Sequence, residues 1–362
     1  MIRIDGLRPA ALGLTLAVLL SACTTPPLLQ GPPEITALPP PAIQTPPPVS
    51  PRVAALAESL TRMAALQERL YRVAAPLLIN NAELCKNSAR NLLAFTAKNR
   101  FSYGGDLNEA AHVAFGMNDR LQVTGVLAGS GAARAGLHRG DRLLSVGGKP
   151  VPTGPNALPL AGAIFGPLIA SQSTLAFVVE RDGAERQIGI PVTRACGYNV
   201  ELGNTDYVNS YADGARVLVT RGMINFTRGD SELAYPLAKG IAHNILAHAA
   251  MQRNAGTISD VIENLVRVQP DLNQLITGGG IKAMPQDLDA AADRLSLYLL
   301  ARAGYDIEGV DDFWKRLAAT YPASVLTGYV ANHPATAFRL AAIEKAAAEV
   351  KAKQAAKKPL VP

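Results

Sequence analysis

The stretch from residue 121 to residue 150 constrains the fold more than any other part of the sequence. It begins as a short alternating strand over Leu121–Val126, passes through a glycine-rich turn and one short helix, and continues into a second strand that ends at Val146. Gly147–Pro150 then makes a tight turn, and two more strands, Thr174–Arg181 and Glu185–Val192, are expected around an Asp-Gly turn at 182–183. This spacing predicts a small, mostly β module in the middle of the chain.

The same stretch resembles a PDZ domain. The run GVLAGSGAARAGLHRGDRLLSVGGKPV matches the most recognisable part of that family almost without gaps. The resemblance implies a small β-barrel over residues 119–195, which binds extended peptides or protein C-termini as an added strand. The alternative is a scaffolding PDZ domain whose groove is closed. The loop that binds the peptide carboxylate is expected before Leu121, and its two candidates are Phe115, Gly116 and Met117, or Tyr103, Gly104 and Gly105.

Residues 1–22 are predicted to be a secretory signal. Arg3 and Arg8 precede an apolar run, Ala10–Leu20, that is too short for a membrane span. Its ending, Leu-Ser-Ala-Cys, resembles the bacterial lipobox, which implies that Cys23 carries a lipid anchor. The alternative is an ordinary cleaved signal with an incidental cysteine. Thr24 in place of aspartate favours the outer membrane over the inner one. The expected location is therefore the bacterial cell envelope, lipid-anchored and facing the periplasm.

The two ends of the remaining chain are predicted to be extended or solvated. Residues 23–52 are too rich in proline for helix or sheet and read as a semi-rigid tether. Residues 349–362 form a basic tail, and much of the formal charge of +6 lies in Lys345–Lys358. Because no aromatic residues accompany these cations, the composition predicts no nucleic-acid partner.

Two cysteines remain besides Cys23. Cys85 and Cys196 form an even pair, and in an oxidising compartment such a pair predicts a disulfide. The alternative is two buried free thiols.

Apolar spacing predicts helices on both sides of the β module. Val53–Ala74 reads as an amphipathic helix, followed by a less regular region to about Asn118. After Cys196 the pattern becomes α+β, with a strand and turn before a helix that begins near Asp230. Two later helices are predicted over Pro285–Ala303 and Val310–Tyr321. With 362 residues and 48% hydrophobic composition, the chain is expected to form two domains.

The segment Ser231–Ala250 carries a degenerate version of a zinc-protease motif. In a His-Glu-x-x-His motif, two histidines one helical turn apart bind the metal and the glutamate activates a water molecule. His243 stands where the second histidine would fall, whereas Lys239 and Gly240 replace the first histidine and the glutamate. The sequence therefore lacks one metal ligand and the catalytic base.

Several runs resemble, in their order along the chain, the metallopeptidase family of the HtpX and CAAX prenyl endopeptidases. They are NSYADGARVLVTRGMINFTRGDSELAYPLAKGIAHNILAH, DLDAAADRLSLYLLARAGYD, DDFWKRL and HPATAFRLAAI. The match covers roughly Asn209–Glu344 and implies a zincin-like metallopeptidase domain formed by residues 53–118 and 196–348, with the PDZ domain inserted. The cysteine pair would then staple the two flanks of the insertion. Periplasmic members of this family assist protein quality control in the envelope.

The resemblance also assigns site positions. Lys239 stands at the first zinc ligand, Gly240 at the catalytic glutamate and His243 at the second ligand. Asp289 stands at the third ligand and Asp293 at a neighbouring aspartate. His333 stands at a histidine that in relatives helps to stabilise the transition state. His248 lies five residues after His243, so the two side chains would point about 140° apart on an ideal helix. This spacing predicts no shared ion and a packing or hydrogen-bonding role for His248.

These replacements predict an inactive or impaired site. A lysine with a pKa near its ordinary value of about 10.4 is a cation that repels a metal ion. Loss of the glutamate removes general-base catalysis worth about 10²–10⁴ in rate. We therefore predict that Lys239 pairs with Asp289, with Asp293 as a further candidate partner, and that no cofactor is bound. The alternative is that Lys239 extends to solvent beside an empty cleft.

The function predicted from the sequence is that of a pseudoprotease or regulator with a peptide-binding module. It would act in protein quality control and be held at the membrane by its lipid anchor. One alternative is an active zinc metalloendopeptidase that cleaves misfolded envelope proteins. A third interpretation is a purely structural envelope protein whose PDZ groove binds no peptide.

Overall fold

The computed structural model describes residues 49–251, 255–273, 284–321 and 336–362. The expected signal, the lipidation residue Cys23 and nearly all of the tether lie outside these residues, and so does His333. What the sequence predicts for them stays a prediction.

The described elements alternate between helices and short strands. The α-helices are α1 (Pro51–Ile79), α2 (Asp106–Phe115), α3 (Gly131–Arg134), α4 (Ala157–Ser171), α5 (Arg221–Phe226), α6 (Asp230–Ile245), α7 (His248–Met251), α8 (Ala255–Leu265), α9 (Gln286–Ala303), α10 (Val310–Thr320) and α11 (Ala337–Ala355). The strands are β1 (Ala89–Leu92), β2 (Phe95–Lys98), β3 (Gln122–Val126), β4 (Arg142–Val146), β5 (Lys149–Pro150), β6 (Thr174–Arg181), β7 (Ala184–Pro191), β8 (Thr193–Cys196), β9 (Asn199–Gly203), β10 (Ser210–Ala212) and β11 (Arg216–Thr220). Within the described ranges, none of the helices is both long and apolar enough to cross a membrane.

Helix α1 is longer than its apolar pattern predicts and contributes side chains to two hydrophobic cores. Ser50 caps its start by accepting a hydrogen bond from the backbone N–H of Val53. The first half packs its apolar face against α2. The second half, from Leu70 onwards, packs against the elements that follow the β module. Because α1 contacts parts of the chain more than a hundred residues away, it fixes the position of both regions.

The larger core surrounds helix α6. A three-stranded sheet of order β10-β11-β9 packs on one side, with β11 parallel to β9 and antiparallel to β10. Helices α1, α9 and α11 supply further apolar side chains. As a result every residue from Leu233 to Asn244 in α6 is buried, including its polar members. A polar group in such a helix needs a partner inside the protein.

The β module forms an antiparallel sheet of order β2-β3-β4-β6-β7, with β5 paired to β4. Its first strand, β2, pairs with β3 through Phe95 and Val126 and lies before the predicted boundary at residue 119. The sequence predicts an irregular region here instead of a strand, because four residues are too few for a periodic pattern to be recognised. The described strands do not close on themselves, so the small barrel is not confirmed.

The segments directly before and after this sheet pair with each other. Strand β1 pairs with β8 in antiparallel register, from Ala89 opposite Cys196 to Leu92 opposite Thr193. Cys85 and Cys196 are joined by a disulfide, with Cα atoms 5.5 Å apart. The chain therefore leaves and re-enters the larger core at one place.

Candidate functional site

Helix α6 carries the degenerate motif and is anchored at its start. Asp230 and Glu232 lie in its first turn, where negative charge favours the positive end of the helix dipole. Asp230 accepts hydrogen bonds from Arg69 and Arg72 of α1, and Glu232 accepts them from Arg316 of α10. These contacts hold the helix so that Lys239 and His243, one turn apart, face α9.

Lys239 lies between two carboxylates. Its side chain is 2% exposed. The Nζ atom is 2.8 Å from Oδ1 of Asp289 and 2.8 Å from Oδ1 of Asp293, one turn further along α9. The ammonium also lies 4.9 Å from the ring centre of Trp314, a favourable contact between a cation and an aromatic face. The ion pair that the sequence predicts for Lys239 is present, and it includes both aspartates.

A second cation, Arg339 of α11, completes the cluster. Its Nε atom is 2.9 Å from Oδ2 of Asp289 and 2.7 Å from Oδ2 of Asp293. Its Nη2 atom donates a further hydrogen bond of 3.0 Å to Oδ1 of Asp293. Arg339 is not among the residues predicted from the sequence, because an arginine in an alanine-rich helix is usually exposed to solvent. In the structure it is only 1% exposed.

Among the described residues, two cations face two carboxylates in this cluster, and all four side chains are buried. Burial lowers the pKa of Lys239 and the charge of Arg339 lowers it further, while Asp293 and Asp289 oppose both effects, so the pKa lies below its ordinary value. Burial also lowers the pKa of Arg339, but the two aspartates outweigh it and raise that pKa above normal. The lysine therefore depends on its carboxylates to stay charged.

His243 also contacts the aspartate at the third ligand position. Its Nε2 atom is 3.2 Å from Oδ1 of Asp289, and its Nδ1 atom is 2.9 Å from Nδ1 of His248. The predicted separation of the two histidines is wrong, because α6 ends at Ile245 and Ala247 adopts a left-handed conformation with φ 56°. This turn brings His248 back against His243. The hydrogen-bonding role predicted for His248 is confirmed.

Gly240, at the position of the catalytic glutamate, packs directly on strand β11. A Cβ atom at this residue would lie 2.6 Å from Cγ1 of Val217 and 3.2 Å from its Cγ2. Any side chain here requires the buried valine to move. The loss of the glutamate is therefore combined with close packing between helix and sheet.

We expect Gly240→Ala to lower the free energy of unfolding by about 1–3 kcal/mol through overpacking. This would occur although alanine favours a helix by about 1 kcal/mol over glycine. Gly166→Ala in α4 is the matched control, because a Cβ atom there meets nothing within 4 Å. Urea titration of both variants checks the prediction, and adding Val217→Ala should reduce the penalty of Gly240→Ala. Equal stability of the Gly240 and Gly166 variants would contradict the steric argument.

A cavity of about 850 Å³ lies between the β module and the larger core. Phe115 and Met117 of the first candidate loop line it, as do Tyr103 and Gly104 of the second. Met117 is buried and packs against α1. The carbonyl oxygens of Phe115 and Gly116 accept hydrogen bonds from Gln122 and Arg142 of the sheet. A role of Phe115, Gly116 and Met117 in binding a peptide carboxylate stays a prediction.

Comparison with known families identifies both regions of this fold. Residues 122–158 match the PDZ domain, and residues 170–347 match Peptidase family M48. Over this second region the chain is similar to peptidase family M48, as the motif order indicates, and the match to the PDZ domain lies directly before it.

Two curated proteins illustrate the relationship. One is a beta-barrel assembly-enhancing protease of Yersinia pestis, 28% identical over 137 residues, which cover 33% of this chain and 28% of that protein. The other is the mitochondrial metalloendopeptidase OMA1 of Schizosaccharomyces pombe, 24% identical over 147 residues, which cover 39% of this chain and 44% of that protein. This chain thus spans less than half the length of either relative.

Proposed function

We propose that this protein is a pseudoprotease or regulator, with a peptide-binding PDZ domain, that acts in protein quality control in the cell envelope. The observation that carries the proposal is the ammonium of Lys239, 2.8 Å from both Asp289 and Asp293, at the first ligand position of a metallopeptidase motif. Gly240 offers no carboxylate to activate water. A peptide could be bound by such a protein without being cut.

The donor set at this position does not fit zinc. A zinc ion takes deprotonated nitrogen, sulfur or carboxylate ligands in a tetrahedral arrangement. Lys239 brings a positive charge to that place, and Asp289 already contacts Lys239 and Arg339. Among the described residues, no three histidine, cysteine or acidic side chains come together as a metal-binding group. The positive charge of Lys239 and its contact with Asp289 support a function without a metal cofactor.

The envelope location rests on the N-terminal sequence. Lipid attachment at Cys23 would hold the protein at the membrane, and the proline-rich tether would keep its folded part away from the bilayer. One relative is named for enhancing the assembly of β-barrels. That name supports a client among envelope proteins, and the outer membrane remains the location we favour.

The competing function is an active metalloendopeptidase. Both relatives are named as proteases. The second and third ligand positions also remain in contact, since Nε2 of His243 lies 3.2 Å from Oδ1 of Asp289. A metal bound by these two residues would have to displace the ammonium of Lys239, and His333 would be the candidate for stabilising the transition state.

We expect the purified full chain to leave casein uncut both with and without a chelator, because Gly240 supplies no base at the position of the catalytic glutamate. The same preparation should contain no stoichiometric zinc by elemental analysis. Chelator-sensitive cleavage that disappears in the His243→Ala variant would establish the competing function. A trace contaminant protease would instead cut equally in the wild type and in that variant.

A restored motif provides the positive control. Lys239→His with Gly240→Glu returns the missing residue types, but the glutamate meets Val217, whose Cγ1 would lie 2.6 Å from its Cβ. Val217→Ala therefore belongs in the same variant. Zinc binding by this triple variant, with none in the wild type, would support the proposal that Lys239 excludes the metal.

A further inference from the structure

The cavity between the two regions is built from both of them. Its volume of about 850 Å³ lies within the range of about 300–1,000 Å³ that is usual for ligand sites. On one side stand β2 and helix α4 of the PDZ region, including Phe95, Leu158 and Phe165. Strand β2 is the terminal strand of its sheet in the described residues. This wall thus offers an apolar surface and a strand edge.

The opposite wall comes from α1 and the peptidase-family sheet. Strand β9 lies at the edge of that sheet and lines the cavity through Glu201 and Leu202. The side-chain amide of Gln67 donates a hydrogen bond to the carbonyl of Val200 and accepts one from the N–H of Leu202. A glutamine of α1 therefore takes the place of a neighbouring strand along β9. The cavity lies between two strand edges, one of which is already capped.

Tyr71 shows how closely the two walls approach. A Cβ atom on Gly125 of β3 would lie 2.7 Å from its ring, and both Tyr71 and Thr96 of β2 line the cavity. Only glycine at position 125 admits the tyrosine without a shift. A chain that pairs with β2 therefore lies next to α1.

Charge favours an acidic occupant. Lys98, Arg139 and Arg267 line the cavity, against the acidic residues Glu201 and Glu263. Glu263 is paired with Arg216, and Arg139 is paired with Glu68; both partners lie outside the cavity lining. Burial raises the pKa of Glu201 above its ordinary value, although Lys98 opposes this. Positive charge therefore exceeds negative charge around an apolar space.

We propose that this cavity binds an extended, apolar peptide carrying a carboxylate and holds it between β2 of the PDZ region and α1 of the peptidase-family region. The inference rests on the proposed peptide-binding function and adds that α1 is part of the binding site. The peptide gains main-chain hydrogen bonds along β2, as in other cases of strand addition. A fatty acid could fill the apolar space, but it has no groups to pair with a strand edge.

The test uses the full chain and fluorescein-labelled decapeptides that have random upstream residues, an apolar last residue and a free carboxylate. The peptides of this pool that the protein retains are then used to measure the Kd by fluorescence anisotropy. Gly162→Trp fills the α4 side of the cavity, where a Cβ atom meets nothing within 4 Å. Gly166→Trp is its control, one turn further along α4, in equally open space and outside the lining.

A second pair of variants tests the α1 wall. Ala64 lines the cavity, whereas its exposed neighbour Ala65 does not. We expect Gly162→Trp and Ala64→Trp each to weaken peptide binding by about tenfold or more, as for other residues at the centre of a site. Gly166→Trp and Ala65→Trp should leave the Kd unchanged. Thermal unfolding of all four variants confirms that each is folded before binding is compared.

The other outcomes separate the two levels of the proposal. If Gly162→Trp weakens binding and Ala64→Trp does not, the peptide uses the PDZ groove alone, and the shared site is wrong while peptide binding stands. If no peptide of the pool binds, the peptide-binding function itself fails. Binding of a labelled fatty acid in preference to every peptide would identify a lipid site and overturn the inference. Equal binding of amidated peptides would overturn the role given to the carboxylate.

Discussion

Replacement of Lys239 by methionine is expected to lower the free energy of unfolding by about 3–5 kcal/mol, the usual cost of breaking a buried ion pair by removing one partner. Methionine has a similar length and no charge. The variant leaves Asp289 and Asp293 buried with Arg339 as the cation described beside them. The cost comes from an excess of negative charge in an apolar region, and urea titration measures it.

Two comparisons make this result specific. Lys315→Met removes a lysine that is 53% exposed and paired with Asp311 one turn away, so its cost should be much smaller than that of Lys239→Met. Adding Asp289→Asn to Lys239→Met removes one of the two negative charges and should recover part of the stability. If Lys239→Met costs no more than Lys315→Met, the ammonium is not the group that holds α6 to α9.

Loss of the disulfide is expected to cost about 4–5 kcal/mol, because the stabilisation rises with the length of the closed loop. Cys85 and Cys196 are 111 residues apart, and the whole PDZ sheet lies between them. Without the bond, the unfolded chain gains the conformational freedom of that long loop. The free energy of unfolding of Cys85→Ala with Cys196→Ala, measured in urea, tests the effect.

Reductant supplies the internal control for the disulfide. It should destabilise the wild type to about the level of the double variant and leave the double variant itself unchanged. A wild type that is insensitive to reductant under conditions in which free-thiol titration shows both cysteines reduced would contradict the prediction. Loss of stability in the double variant on adding reductant would point to a different cause.

Features that depend on local periodicity could be predicted from the sequence. The strand Thr174–Arg181 has the predicted bounds, and α9 begins within one residue of its predicted start. The resemblance to a metallopeptidase family was equally informative, since it assigns Lys239 and Asp289 to two ligand positions of one site, and the two residues form an ion pair. Periodicity carries the information in the first case and the resemblance in the second.

Features that depend on tertiary contacts could not be predicted. Arg339 is buried only because α11 folds back on α9, and its sequence neighbours do not indicate this. The contact between His243 and His248 requires Ala247 to adopt a left-handed conformation, and an alanine in the sequence does not indicate such a conformation. The close approach of Gly240 to Val217 likewise depends on where α6 lies on the sheet. Each is a consequence of packing between distant segments.

The position of α1 has a consequence for the order of events during synthesis. This helix is complete at Ile79, but its partners in α6 begin at Asp230. At a translation rate of about 5–20 residues per second, the intervening chain takes about 8–30 s to appear. The strands β2 to β7 all emerge in that interval and can pair with one another. The apolar face of the first helix is therefore present before its partners in α6, and Cys85 stays without its disulfide until Cys196 has also appeared.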